Sequence, residues 1–207
     1  MKIEFLKAHW DTLITGCGVD ARVAFCYYED LVNAYSERHR VYHNLTHIAQ
    51  CLTELDTAPH KDAVIEWATW YHDAIYYPGA PDNESRSALL ARNVLMELGL
   101  DQELGPRVAK LILSTQSHKA DEGDMVQKLF LDADLAILGA NVDDYATYAR
   151  AVRDEYCNIP DILYRRGRRE FLESMLHRNH IFLSDHFRDR YEQQANTNLT
   201  MELASYS

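Results

Sequence analysis

The sequence predicts an all-α fold: a single compact helical domain over residues 1–207, with its core roughly at 21–178 and a C-terminal helix at 185–203. Three observations predict it. Apolar residues recur at three- and four-residue spacing almost throughout. Period-2 alternation, the mark of strands, is scarce. Gly, Pro and capping residues fall between the periodic stretches rather than inside them. The 207 residues suit one domain with a sizeable core.

In chain order, the first predicted helix is Ala21–Glu37, where Val23, Ala24, Tyr27, Leu31, Ala34 and Tyr35 share a stripe. The second is His47–Leu55, with Ile48, Cys51, Leu52 and Leu55 on one face and Asn44 or Thr46 available as its cap. The third, Asp62–Tyr76, carries Val64, Trp67, Ala68, Tyr71 and Ile75. Pro78-Gly79-Ala80-Pro81 stops it, and Asp82 or Asn83 can cap the next, Asn83–Leu98. Further helices are predicted at Leu104–Thr115, Asp124–Leu138, Asp143–Tyr156, Tyr164–Arg178 and Asp185–Leu203. Gly99, Gly105-Pro106, Gly123, Gly139 and Pro160 mark breaks. No repeat or low-complexity tract interrupts the pattern.

The net charge is −11 with His neutral. A surface that acidic repels nucleic-acid backbones and anionic membranes, so neither a polymeric nucleic acid nor a membrane is expected as partner. A small phosphorylated substrate stays compatible, because a bound metal dominates the charge inside a pocket. The 4 cysteines, Cys17, Cys26, Cys51 and Cys157, form no C-x-x-C pair and read as reduced core thiols. MKIEFLKAHW lacks a signal-peptide apolar region, and no apolar run is of bilayer length. Together these predict a cytoplasmic protein; a homo-oligomer is left open. The 10 histidines are many for this length and give a first hint of metal chemistry. No Walker-type loop, Rossmann fingerprint or G-x-S-x-G elbow is present.

The chemistry-bearing residues begin with His72-Asp73, at the end of an apolar helix in WATWYHDAIYYPG. Chance readily supplies such a dipeptide, so its context decides. His47 lies upstream in the first turn of another helix, in YHNLTHIAQCL, with His43 four residues earlier. An acid lies downstream inside an apolar helix, in KLFLDADLAILG. With Val126, Phe130, Ala133 and Ile137 as the buried stripe, Asp134 falls roughly 60° from its centre and Asp132 about 140° away. Asp134 is therefore expected to face the core and Asp132 to face outward. A lone buried carboxylate costs several kcal/mol unless a cation compensates it, and a metal ion would do so. Trp67, Trp70, Tyr71, Tyr76 and Tyr77 give the pair an aromatic setting, as a dry metal site requires.

The order His…His-Asp…Asp on successive helices of an all-α domain resembles the HD superfamily. More closely, the chain is similar to a bacterial group described as predicted metal-dependent HD phosphohydrolases. The matching segments are YHNLTHI, YHDAIYYPGAPDNESRSA, LILSTQSH, LFLDADLAILG and VRDEY, from Arg38 to the C-terminal helix. The resemblance implies an HD-type helical fold and hydrolysis of a phosphate ester or anhydride, a nucleotide-like one favoured. It places the metal ligands on His47, His72, Asp73 and Asp134. His118, in a T-x-x-H segment, matches positions where dinuclear relatives bind a second metal. This chain lacks their paired His-His, so one ion is implied and a second left open. Glu84, in N-E-x-S after the His-Asp pair, is a further candidate to face the site.

The roles expected follow from that set. The mixed N/O ligands suit one divalent transition ion, Mn, Fe, Co, Ni or Zn, better than Mg. Such an ion acidifies a water and neutralises phosphoryl charge. Asp73 would both bind metal and orient the water. His118 or Glu84 would hand a proton to the leaving group. Lys119, Arg86 and His43 are candidates to hold the substrate phosphate. Arg153, in VRDEY, reads as a helix anchor, and the run Arg165-Arg166-Gly167-Arg168-Arg169 as a solvated helix face. Two rival functions stand beside hydrolysis: a di-iron oxygenase on the same scaffold, which needs more His ligands, and a non-catalytic nucleotide-binding module.

Overall fold

A computed structural model describes residues 2–60 and 62–206. Among them run ten α-helices and no strand: α1 (Lys2–Gly16), α2 (Ala21–Tyr35), α3 (Leu45–Asp56), α4 (Ala63–Tyr71), α5 (Asn83–Glu97), α6 (Leu104–Ser114), α7 (Met125–Leu135), α8 (Val142–Glu155), α9 (Asp161–Leu176) and α10 (Asp185–Ala204). A single 3-10 turn, Ala136–Gly139, extends α7. The chain is all-α, as its periodicity predicts. Local chemistry sets many starts: the side chains of Asp20, Asn44, Asp62, Asp124 and Asn141 each accept from a backbone N–H in the first turn that follows. Among the described residues no helix is long and apolar enough to cross a membrane.

α4 is the axis of the fold. Seven of its nine residues are buried, so it is covered all round. It packs on α1, α3, α5, α6 and α7. One hydrophobic cluster draws residues from every α-helix. It reaches beyond the expected 21–178 at both ends: α1 contributes Leu6, Trp10, Leu13 and Ile14, and α10 contributes Phe187, Ala195 and Leu199. Trp10 meets Trp67 and Trp70 edge-on, each at 5.4 Å between centroids. The two α4 tryptophans thus dock α1 rather than line the His72-Asp73 pair. At the other end, α10 closes on the 3-10 turn so tightly that a Cβ on Gly139 would stand 2.5 Å from Tyr191 Cβ.

Other expectations shift in detail. The α2 face turns by one residue: Tyr28 is buried with Ala24, Leu31 and Tyr35, while Val23 is exposed. Only Cys51 of the four cysteines is a core residue; Cys26 and Cys157 are exposed, and all four are free. In the arginine run, Arg168 is buried, paired with Glu202 and Tyr148, so the solvated face excludes it.

The helix expected to run to Tyr76 stops at Tyr71, and the reason lies in its last carbonyls. Continuing the helix would need Thr69 and Trp70 carbonyls to accept from residues 73 and 74. His72 Nδ1 contacts the Thr69 oxygen at 2.9 Å and the Tyr35 hydroxyl donates to the Trp70 oxygen at 3.0 Å. Arg40 then donates to the carbonyls of Asp73 and Ala74, at 2.6 and 3.0 Å. Downstream, α5 captures the released backbone: Ile75 N–H donates to Ser87 Oγ, and Asn83 pairs with both the N–H and the carbonyl of Tyr77.

Candidate metal centre

The ends of three helices meet at one point: the start of α3 and the ends of α4 and α7. α3 starts at Leu45, capped by Asn44, which puts His47 in its first turns and leaves His43 outside the helix. α4 ends just before His72-Asp73. α7 packs on both α3 and α4 and presents Asp134. His47 Nε2 lies 3.1 Å from His72 Nε2 and 3.1 Å from Asp134 Oδ1. His72 Nε2 lies 3.6 Å from Asp134 Oδ1. These three residues form a group whose ligand atoms are near enough to share one metal ion. Asp73 stands beside them, its Oδ2 3.2 Å from His72 Nε2 and 3.8 Å from His47 Nε2.

The residues fit a cation. Ligand atoms held about 2.1 Å from one ion stand about 3.0 Å apart at right angles and about 3.4 Å apart at tetrahedral corners. The observed separations run from 3.1 to 3.8 Å, from just above the first edge to a little beyond the second. Two imidazole Nε2 atoms facing each other at 3.1 Å share at most one proton between them, whereas an ion uses both lone pairs. The Thr69 carbonyl fixes the His72 proton on Nδ1, which aims Nε2 at the cluster.

Charge follows the same logic. Burial opposes a charged His72, but the adjacent Asp73 and Asp134 carboxylates outweigh it and raise its pKa well above the ordinary value. Burial dominates at His47 and lowers its pKa. Burial works against ionised Asp134, yet its contacts with His118, His47 and His72 hold its carboxyl well below the usual range. Asp73 is likewise lowered, against burial, chiefly by His72. With its pKa raised, His72 is where a proton competes with a metal ion. A metal must displace that proton, so binding is expected to release about one proton per ion at pH 7 and to weaken as pH falls. Calorimetry of Mn²⁺ binding in two buffers of different ionisation enthalpy measures that number.

The buried stripe expected of α7, Val126, Phe130, Ala133 and Ile137, is not a single face that separates inside from outside. α7 is buried around its whole circumference, with Leu129, Phe130, Leu131, Ala133 and Leu135 all inside. Asp132, expected to face outward, is 1% exposed, while the Asp134 side chain keeps 14%. Asp132 instead caps the entry to α10: its carboxylate accepts from the N–H of Leu183 and from the N–H and hydroxyl of Ser184.

His118 and Glu84 join the neighbourhood. His118 Nε2 is 3.1 Å from Asp134 Oδ2. Its backbone is left-handed, φ 48°, the single non-Gly residue so placed among those described, and Arg178 holds its carbonyl. A costly backbone at a site is a sign of function. Glu84, in the first turn of α5, lines the same cleft as His118. Lys119 and Arg86 line neither cleft at the cluster; both are exposed, and Arg86 lies over the Tyr77 ring. Arg153 ties α8 to α9 by stacking on Tyr164 and contacting Asp161.

Two residues escaped the sequence argument. Glu155, 3% exposed, accepts from the N–H of Tyr42, the N–H of His43 and the Tyr76 hydroxyl, and sits 2.6 Å from His43 Nδ1. It lies inside VRDEY, where only Arg153 drew notice. Burial opposes its ionisation, but His43 outweighs this and lowers its carboxyl; His43 is correspondingly raised against burial. Tyr42 packs its ring 5.0 Å from that of His47, and among the described residues no group bonds its buried hydroxyl.

The cluster opens on two sides. A cleft of about 710 Å³ exposes His43, His72, Asp73, His118 and Asp134. A second, of about 440 Å³, reaches His47 and Asp134 from behind. Tyr42, Tyr148, Ile137 and Asp134 divide them. Compared with protein-family models, curated proteins and solved structures, the chain matches none.

Proposed function

We propose that the protein is a metal-dependent phosphohydrolase of the HD type, acting on a small phosphate ester or anhydride. The observation that carries this reading is the convergence of His47, His72 and Asp134, with Asp73 alongside, where His72, Asp73 and Asp134 line a substrate-sized cleft. His47, His72, Asp73 and Asp134 would hold one divalent ion, whose Lewis acidity acidifies a water and neutralises phosphoryl charge. Asp73 keeps a carboxylate lone pair toward the cleft, where it orients the attacking water. Water adds to phosphorus, the P–O bond to the leaving group breaks, and the water's proton ends on the leaving oxygen. His118, Glu84 and the His43–Glu155 pair surround the cleft as groups able to relay that proton.

The test is phosphate release by Mn²⁺-loaded protein from a panel of nucleotides, dinucleotides and sugar phosphates. Metal-dependent release from at least one compound, abolished in Asp134→Ala, is expected. Intact ligands recovered throughout would refute hydrolysis and favour a binding module.

A further inference from the structure

We propose that the larger cleft selects phosphate monoesters whose alcohol carries an uncharged ring, and disfavours substrates with more than one phosphate. This rests on the phosphohydrolase reading of the same site.

The cleft is chemically divided. Its floor is the His/Asp cluster. Its far wall, from the α8–α9 connection and α9, is Tyr156, Ile159, Leu163, Tyr164 and Phe171, with Tyr76 facing them. Leu163 is 53% exposed at this wall, although burying such a side chain is favourable. A ring seated there covers Leu163 and meets tyrosine and phenylalanine faces. The volume of about 710 Å³ accommodates a phosphate on the floor and one or two rings beyond it.

The charges point the same way. Of the lysines and arginines, Arg168 alone lines the cleft among the described residues. Its guanidinium is already spent: it donates to both Glu202 oxygens, at 2.8 and 2.9 Å, and to the Tyr148 hydroxyl at 3.0 Å. His43 is matched by Glu155. Arg86 and Lys119, which a polyphosphate would need, lie outside. A second phosphate would find no cation and would meet Glu84. The cluster is thus the one place in this cleft that accommodates a phosphoryl group. The reaction needs only water: the ester yields the ring-bearing alcohol and inorganic phosphate, with no change of oxidation state.

The experiment compares kcat/KM of the full-length Mn²⁺-loaded protein for 2-phenylethyl phosphate and ethyl phosphate, whose leaving alcohols are both primary and unactivated. A preference of about 100-fold for the phenylethyl ester is expected from burying the ring. A nucleoside 5′-monophosphate in parallel distinguishes a nucleobase from a hydrocarbon ring; either one exceeding ethyl phosphate supports the proposal. The corresponding nucleoside triphosphate is expected to be the poorer substrate. Leu163→Asp, at an exposed position, is expected to lower the phenylethyl-to-ethyl ratio at least about 10-fold. Hydrolysis with no ring preference, an unchanged ratio in Leu163→Asp, or a preferred triphosphate overturns this inference while leaving the phosphohydrolase reading intact. Hydrolysis of none of these esters overturns this inference, and the phosphohydrolase reading falls with it only if dinucleotides and sugar phosphates are also left intact.

Discussion

Asp134→Ala is expected to fold as the parent does and to lose its ion, with affinity for a divalent transition metal reduced by more than about 100-fold. Asp134 is the one carboxylate whose Oδ1 lies within 3.6 Å of both His47 Nε2 and His72 Nε2, and its Oδ2 also reaches His118. Among the described residues no backbone N–H donates to it, so its loss orphans no amide of theirs. Its three partners are imidazoles, and losing this carboxylate removes one of the two that raise the pKa of His72. The expected signature is an unfolding midpoint within a few degrees of the parent beside near-zero metal content and background phosphate release. Elemental analysis of both purified proteins, with circular dichroism melts, reads it. Asp134→Asn, which keeps the shape, should behave alike; a metal content equal to the parent's in both would remove Asp134 from the site.

Two residues away the outcome reverses. Asp132→Ala is expected to destabilise the protein by about 3–5 kcal/mol, since it strands two buried amides and one hydroxyl at roughly 1–3 kcal/mol per group before relaxation. For a chain of this size that is a fall of about 8–15 °C in melting temperature. Metal content per folded molecule should stay at the parent level. The pH dependence adds a second check. Burial pushes the Asp132 carboxyl up to about 6, in spite of its three donors. A folded pKa above the unfolded value of about 3.9 contributes stability below about pH 4, and that contribution is lost as pH rises through about 6. The parent should therefore lose stability relative to Asp132→Asn over that window, as melts at stepped pH would show. A melting temperature unchanged in Asp132→Ala would mean that the α10 entry does not depend on this cap.

The contrast between neighbouring aspartates shows how far sequence periodicity reaches. Helix existence was legible because apolar spacing reports burial of one face. α7 has no single face, so periodicity could not tell which of its acids meets solvent, a cap or a cluster. The pattern of α1 was legible in principle, since Leu6, Trp10, Leu13 and Ile14 fall at helical spacing. The end of α4 was not legible. It is set by Tyr35, Arg40 and His72 bonding carbonyls, two of these side chains coming from distant sequence. That early stop matters for the site. Adjacent helical residues point about 100° apart, yet His72 and Asp73 approach one point because the helix ends at Tyr71, just before them.

The site divides in the same way. His47, His72, Asp73 and Asp134 were readable as residue types in order, because few other side chains offer lone pairs to a metal. Glu155 was hidden: an acid near a helix end is ordinarily a solvated one, and only the fold turns it onto the 42–43 backbone. Arg168 was hidden for the opposite reason. Its place in a run of arginines suggested solvent, whereas its partner Glu202 lies 34 residues on, in α10.

The most direct measurement is anomalous diffraction from crystals grown with Mn²⁺, recorded so that the ion's position is read without reference to the protein phases. The account predicts one strong peak about 2.1 Å from His47 Nε2, His72 Nε2 and Asp134 Oδ1, with Asp73 Oδ2 completing its protein ligands. A cluster that stays free of anomalous density while the ion binds elsewhere would contradict it.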